Sequence, residues 1–286
     1  KEAGIANNII NIFVLISKKN LKLKSGERLA MALEELGPTF IKLGQALSTR
    51  SDICGEEIAS DLSKLQDKLP AFSKQDVKNI IENEMGKPVE KCFAEFNWNA
   101  VAAASIAQVH FATTIEGCEV AVKILRPKIE EAFKRDIDLF YWIAELIEHT
   151  QQDLRRFKLI EIIKTFETTI NQEMDLRFEA AAAGELAENF IGDQEFEVPE
   201  VDWSLTSKRI LTLRRVDGIS IGDTDLIKHA GLDPNEILSK AATSLFKQVF
   251  RDGFFHADQH PGNIFVSREG KIIAIDFGIM GRLDIK

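Results

Sequence analysis

Apolar residues early in the chain recur at helical spacing. Leu29, Leu33, Leu36, Phe40, Leu43 and Leu47 follow one another at steps of four and three, the period of a helix with one apolar stripe. Gly37-Pro38 interrupts the stripe. One helix is therefore predicted to end there and another to start with Pro38 in its first turn, where a missing N–H is harmless. Lys42, Gln45 and Thr49 fall beside the stripe as a polar edge, which by itself reads as a solvated face. Gly44, mid-helix at a cost of about 1 kcal/mol relative to alanine, predicts close approach of another backbone. Two further helices are expected over residues 56–66 and 74–84, the second capped by Ser73.

From residue 93 the pattern shortens to period two. Residues 93–96, 108–114 and 119–125 read as strands, with Glu116-Gly117 at the second turn. The connection between the first two holds Ala102, Ala103, Ala104, Ser105, Ile106 and Ala107. Alanine does not readily take positive φ, so this segment is expected to be stiff and to turn toward helix. The third strand carries Val120-Ala121-Val122-Lys123, with both valines on one face and Lys123 on the other. A lysine in an apolar strand faces water at an edge, or is paired or bound to phosphate.

Helices over 129–148 and 159–189 follow, the second carrying Glu173, Asp175 and Glu179. Asp175 and Glu179, four apart, share a face and repel unless a cation sits near. Residues 198–201 and 209–213 read as strands, and Asp217-Gly218 as a hinge turn. A helix over 237–250 is predicted to turn Leu238, Ala241, Ala242, Leu245 and Val249 inward.

The chemistry concentrates after that helix. Phe254-Phe255-His256-Ala257-Asp258-Gln259-His260-Pro261-Gly262-Asn263 is followed by two short apolar segments around Ser267-Arg268-Glu269-Gly270-Lys271, and then by Asp276-Phe277-Gly278. A hairpin there would bring Asn263 and Asp276 to one ion. Phosphoryl transfer needs such a set: one carboxylate to position or deprotonate the acceptor, and an amide with a second carboxylate for magnesium.

Composition narrows the classes. A chain of 286 residues, 45% hydrophobic, can build a real core. A net charge of −9 and a pI near 5.2 argue against a nucleic-acid binder. Cys54, Cys92 and Cys118 match no zinc or CxxC spacing and are expected to be buried thiols in a reducing compartment. The apolar run at 9–16, broken by Asn11, is well short of the ~20 residues of a membrane span. The chain begins at Lys1 without Met and is read as an excerpt of a longer protein.

Taken together, the alanine-rich loop, the VAVK lysine, the helix acids, the His-x-Asp…Asn loop and Asp-Phe-Gly resemble the UbiB (aarF-domain) family of atypical protein-kinase-like proteins. Lys42-Leu43-Gly44-Gln45 is similar to that family's KxGQ signature and Glu173-Met174-Asp175 to its ExD signature. The resemblance implies an α+β, two-lobed kinase-like fold with three parts. Residues 1–91 would be a helical extension, 92–216 an N-lobe with inserted helices, and 217–286 the start of a truncated C-lobe. It implies ATP or ADP with magnesium as cofactors. Lys123 would meet the phosphates with Glu179 as its partner, Asp258 would be the catalytic-loop Asp, and Asn263 and Asp276 would bind metal. The 102–107 loop would cover the nucleotide, and Lys42, Gln45, Glu173 and Asp175 would belong to a regulatory extension.

The resemblance also implies isoprenoid-quinone synthesis, a quinone precursor or other lipid as ligand, and other quinone-biosynthesis proteins as partners. The expected place is the cytoplasmic face of a bacterial inner membrane, or the matrix side in an organelle, with the anchor outside this segment. No nucleic acid is expected. His256-Ala257-Asp258 lacks the arginine of the usual His-Arg-Asp, so no phospho-loop switch is expected. Arg214 stands where the resemblance implies an acidic residue. Two functions from different classes stay open: an ATPase or lipid/small-molecule kinase, and a non-catalytic nucleotide-sensing scaffold. A small-molecule kinase of the aminoglycoside or choline type, whose HxDxHxxN loop is similar, fits the KxGQ and VAVK segments less well.

Overall fold

The computed structural model describes residues 24–65 and 69–283; the apolar run at 9–16 lies outside them. In chain order the main elements are α1 (Ser25–Leu36), α2 (Pro38–Ser48), α3 (Ser51–Cys54), α4 (Glu56–Leu62), α5 (Lys74–Met85), β1 (Phe93–Phe96), β2 (Ala102–Ala103), β3 (Ala107–Thr114) and β4 (Glu119–Leu125). Then come α6 (Ile129–Thr150), α7 (Leu159–Glu173), α8 (Leu176–Asn189), β5 (Phe196–Glu197), β6 (Ile210–Arg214), β7 (Ile219–Ser220), α9 (Thr224–His229) and α10 (Pro234–Phe246). Last are β8 (Phe254–His256), β9 (Ile264–Val266), β10 (Ile272–Ala274) and β11 (Met280–Arg282).

These elements form two compact units. One takes the chain up to Phe72, with Ala102–Gln108 and Arg126–Asn171; the other takes Ser73–Val101, Val109–Leu125 and the chain from Gln172 onward.

The first unit is helical. Gly37 at φ +105° separates α1 from α2, and Pro38 opens the latter, as the sequence predicts. The break redirects the stripe: Leu29, Leu33 and Phe40 are buried, whereas Leu36 is half exposed. Gly44 is crowded by the side chains of Leu65 and Leu33, not by a backbone; a Cβ there would fall 2.8 Å from Leu33 Cδ1 and closer still to Leu65. The α2 helix is held to α6 by a hydrogen bond from Thr39 Oγ1 to Asp136 Oδ2 (2.7 Å) and by Phe40 edge-on to Phe140 (centroids 5.1 Å apart). Phe133, Ile137, Phe140 and Ala144 form the buried stripe of α6, each large side chain contributing about 1.5–3 kcal/mol.

The alanine-rich segment forms no helix. Ala102 and Ala103 pair with β3, and a turn closes where Ala104 N–H donates to Ala107 O (2.8 Å). The Arg126 guanidinium donates to the Ala104 carbonyl. Small side chains in extended backbone satisfy their polar groups here without requiring positive φ.

The second unit is built on the sheet β1–β3–β4–β6, a second sheet β5–β10–β9–β7, and the ribbon β8–β11. Three sequence expectations change here. The 198–201 strand shrinks to a single bridge from Val201 to Leu213, while Phe196–Glu197 forms β5, parallel to β10. The 159–189 helix breaks, because Asp175 takes extended backbone and caps α8 by accepting the Arg177 N–H. The 237–250 helix starts at Pro234 behind the Asp233 cap, and its buried positions are Ile237, Ser244 and Gln248. Leu238 is 65% exposed, so the apolar face read from the sequence is not the inner one. Cys54 and Cys92 are buried, and burial raises both thiols above their ordinary pKa; Cys118 is exposed, contrary to expectation.

His110, fully buried on β3, has Nδ1 2.8 Å from the Asn97 carbonyl, so that nitrogen carries the proton. Burial, opposed by that hydrogen bond, holds its pKa below the ordinary histidine value. The unfolded chain then binds the proton more readily, so the contribution is complete above about pH 6.5 and is lost as pH falls toward the depressed folded value. His110→Gln is expected to flatten the dependence of urea midpoint on pH below about 6.5; an unchanged slope contradicts this.

Candidate functional site

The site is assembled from four segments of the second unit. Strand β4 alternates as its sequence requires: Val120 and Val122 are buried on one face and Lys123 projects from the other. This strand lies between β3 and β6, so Lys123 is not an edge lysine. Its Nζ donates to both carboxylate oxygens of Glu179 on α8, each at 2.9 Å, and lies 3.5 Å from Asp276 Oδ1. The Glu179 side chain is 7% exposed and that of Lys123 21%, so the pair is shielded from water and its attraction is stronger than at a surface.

The catalytic-loop stretch is organised by the hairpin β9–β10. Its turn is closed by Ser267 N–H to Lys271 O and Gly270 N–H to Ser267 O, with Gly270 at φ +78°. Ile264 pairs with Ala274, and the Ile275 N–H donates to the Asn263 carbonyl at 2.8 Å. Asn263 and Asp276 are thereby set beside each other. Asn263 Nδ2 donates to the Asp258 carbonyl (3.1 Å) and to Asp258 Oδ2 (3.0 Å), which turns the amide oxygen to the remaining acceptor role.

Asp276 adopts φ +59°, a left-handed conformation that costs a non-glycine residue of the order of 1 kcal/mol and clusters at functional sites. Phe277 next to it is buried and stacks edge-on with His256. Lys123, bonded to Glu179 and close to Asp276, thus joins β4 and α8 to the Asp-Phe-Gly segment.

The electrostatics follow from the count of charges. Burial works to lower the Lys123 pKa, but Asp276 and Glu179 outweigh it and hold the ammonium above the ordinary lysine range. Burial, reinforced by Asp276 and opposed by Lys123, raises Glu179. One ammonium meets the carboxylates of Glu179 and Asp276, and Asp258 adds a third through Asn263. The excess of negative charge suits a divalent cation.

The donors fit magnesium in kind: the Asn263 amide oxygen and the Asp276 carboxylate are hard oxygen ligands. Among the described residues no group of three or more His, Cys, Asp or Glu could hold a metal unaided. Magnesium sites of one or two carboxylates completed by substrate phosphates have this composition.

Other expected site residues fall elsewhere. Asp175 does not share a cation with Glu179. It pairs with Arg177 (2.6 and 2.8 Å), whose hydrogen bonds hold its carboxyl below the usual range. Glu173 ends α7 in the second unit, while Lys42, Gln45 and residues 102–107 belong to the first. Ser220 escaped the sequence reading: its Oγ donates to the Pro261 carbonyl at 2.8 Å and braces the loop between Asp258 and Asn263. No local pattern marks a serine that acts across the chain.

The chain is similar to known proteins along most of its length. A family model described as the ABC1 atypical kinase-like domain matches residues 64–286. A protein of Marinobacter nauticus named "Probable protein kinase UbiB" is 43% identical over 282 residues, spanning 96% of this chain and 52% of the relative. Its namesake in Xylella fastidiosa is 43% identical over 277 residues, spanning 95% and 50%. The chain thus spans about half the length of these curated relatives. A solved structure of Rv3197 with erythromycin, from Mycobacterium tuberculosis, is 26% identical with a TM-score of 0.61, covering 84% of this chain and 59% of that one. The fold is α+β and kinase-like, and the chain belongs to the ABC1 atypical kinase-like family.

Proposed function

We propose that this protein binds ATP with magnesium at the Lys123–Glu179–Asp276 cluster and turns it over, as an atypical ATPase or lipid kinase serving isoprenoid-quinone (ubiquinone) synthesis. The observation that carries the reading is the lysine that bonds both Glu179 oxygens at 2.9 Å while lying 3.5 Å from the Asp of Asp-Phe-Gly. That arrangement is the assembled state phosphoryl transfer requires. Relatives named UbiB support the pathway.

Lys123 binds and orients the phosphates, with Glu179 fixing its ammonium in place. Asn263 and Asp276 are the residues that hold magnesium, which when bound neutralises the triphosphate and positions it. Asp258, steadied by the Asn263 amide, orients the attacking hydroxyl and takes its proton. The acceptor is an isoprenoid quinone precursor or another lipid, and other quinone-biosynthesis proteins are the partners. The site of action is the cytoplasmic face of the bacterial inner membrane, or the matrix side in an organelle. Among the described residues no helix is long and apolar enough to cross a membrane.

A second reading, a nucleotide-sensing scaffold, is favoured by the Ala104 N–H, which is engaged with Ala107 O at 2.8 Å where glycine-rich kinases present backbone donors to phosphate. The two separate on purified protein assayed for ATP turnover with and without magnesium, anionic vesicles and a quinone precursor. Magnesium-dependent turnover, raised by vesicles and precursor, is expected. Tight nucleotide binding with no turnover under every condition would establish the scaffold instead.

A further inference from the structure

The helix that feeds the catalytic loop changes pitch before reaching it. At Phe246 the α-helical ladder of α10 gives way to a π-helical turn over Lys247–Asp252, an uncommon device that recurs at functional sites. Within it the burial order is inverted. Gln248 is 0% exposed, while Phe246 and Phe250 on either side are 60% and 80% exposed. Hydrophobicity alone would place them the other way round.

Only one of the two polar atoms of the buried amide is hydrogen-bonded among the described residues. Gln248 Oε1 accepts the backbone N–H of His256 at 2.9 Å, and Nε2 has no hydrogen-bond partner among the described residues. An unbonded buried NH2 is a cost to stability, so the side chain is retained for what its oxygen does. That oxygen fixes His256, whose ring serves both halves of the site. Nδ1 accepts the Asp258 N–H at 3.3 Å, and Nε2 donates to the Ile275 carbonyl at 3.2 Å, one residue before Asp276.

We infer that Gln248 is a positioning residue: through His256 it sets the catalytic loop and the Asp-Phe-Gly segment in register. This rests on the catalytic reading above.

Gln248→Met removes the acceptor at similar volume; Gln248→Glu keeps a carbonyl oxygen, since burial keeps the acid protonated. Three measurements on the purified protein decide: kcat and KM for magnesium ATP, thermal midpoint, and amide hydrogen exchange of the peptide covering 254–263. For Gln248→Met the expected result is a kcat lower by roughly tenfold to a hundredfold, with KM within about twofold and a thermal midpoint within a few degrees. Exchange should quicken in that peptide only, and Gln248→Glu should restore both kcat and protection. Unchanged kcat and exchange in Gln248→Met, or a folded Gln248→Glu that fails equally, overturns the assignment. If the wild type itself turns over no ATP, the catalytic reading fails alone, and the exchange pattern still decides whether Gln248 holds the loop. If Gln248→Met does not fold, Gln248→Glu decides: retained kcat and protection support the oxygen's role, and loss of either in folded protein refutes it.

Discussion

Asp276→Asn is expected to abolish nearly all magnesium-dependent ATP turnover, by about a thousandfold, while leaving the protein folded. The change is isosteric and removes one charge. The side chain is 49% exposed, so little packing depends on it. Its φ of +59° is no obstacle, because asparagine tolerates the left-handed region at least as well as aspartate. What is lost is the anionic ligand proposed for magnesium and one of the two carboxylates facing Lys123. A thousandfold corresponds to about 4 kcal/mol of barrier, the scale of removing one preorganised charged contact at a reacting phosphate. Steady-state turnover, with the thermal midpoint as a control for folding, checks this. Turnover undiminished in folded Asp276→Asn would end the assignment of Asp276 as metal ligand.

Lys123→Met is expected to act on stability as much as on activity. It leaves the Glu179 carboxylate, 7% exposed, without the cation that meets both its oxygens and still close to Asp276. Removing one partner of a shielded pair costs about 3 kcal/mol, the low end being apt because the lysine is partly exposed. The pH dependence has a definite sign. Glu179 is already raised above the ordinary glutamate value, by burial first, and loss of Lys123 raises it further. A carboxyl raised in the folded state is harmless below its unfolded pKa, near 4.3, and destabilises increasingly as pH climbs through the folded value. The deficit of Lys123→Met should therefore be largest near pH 8 and shrink toward about pH 5. Urea unfolding at the two pH values measures it; a deficit independent of pH would show that Glu179 does not depend on Lys123.

The site was legible in the sequence wherever its geometry is local. The β9–β10 hairpin follows from two apolar triplets and a Gly turn, and it alone sets Asn263 beside Asp276. Strand alternation placed Lys123 opposite Val120 and Val122. Long-range choices were illegible. Nothing near Thr39 announces a partner 97 residues away. The strand expected at 198–201 lost to Phe196–Glu197 because pairing with β10 decides which residues extend. The single 159–189 helix failed on a readable signal passed over: Asp175 is a good N-cap, and a cap inside a helical run marks a break. Gln248 was hidden for another reason. The inner face of this helix carries the polar Ser244 and Gln248 in line with Ile237, so counting apolar residues chose the neighbouring face and put Val249 inside in its place.

One measurement addresses the gathering of these side chains about a metal-bound triphosphate most directly. Crystals of the protein soaked with manganese and a non-hydrolysable ATP analogue would show the metal by its anomalous signal. The ion is predicted to lie against the Asn263 amide oxygen and the Asp276 carboxylate, with the phosphates reaching Lys123. Manganese and nucleotide bound away from these residues, with Lys123 still closed on Glu179 and no phosphate beside it, would contradict the account.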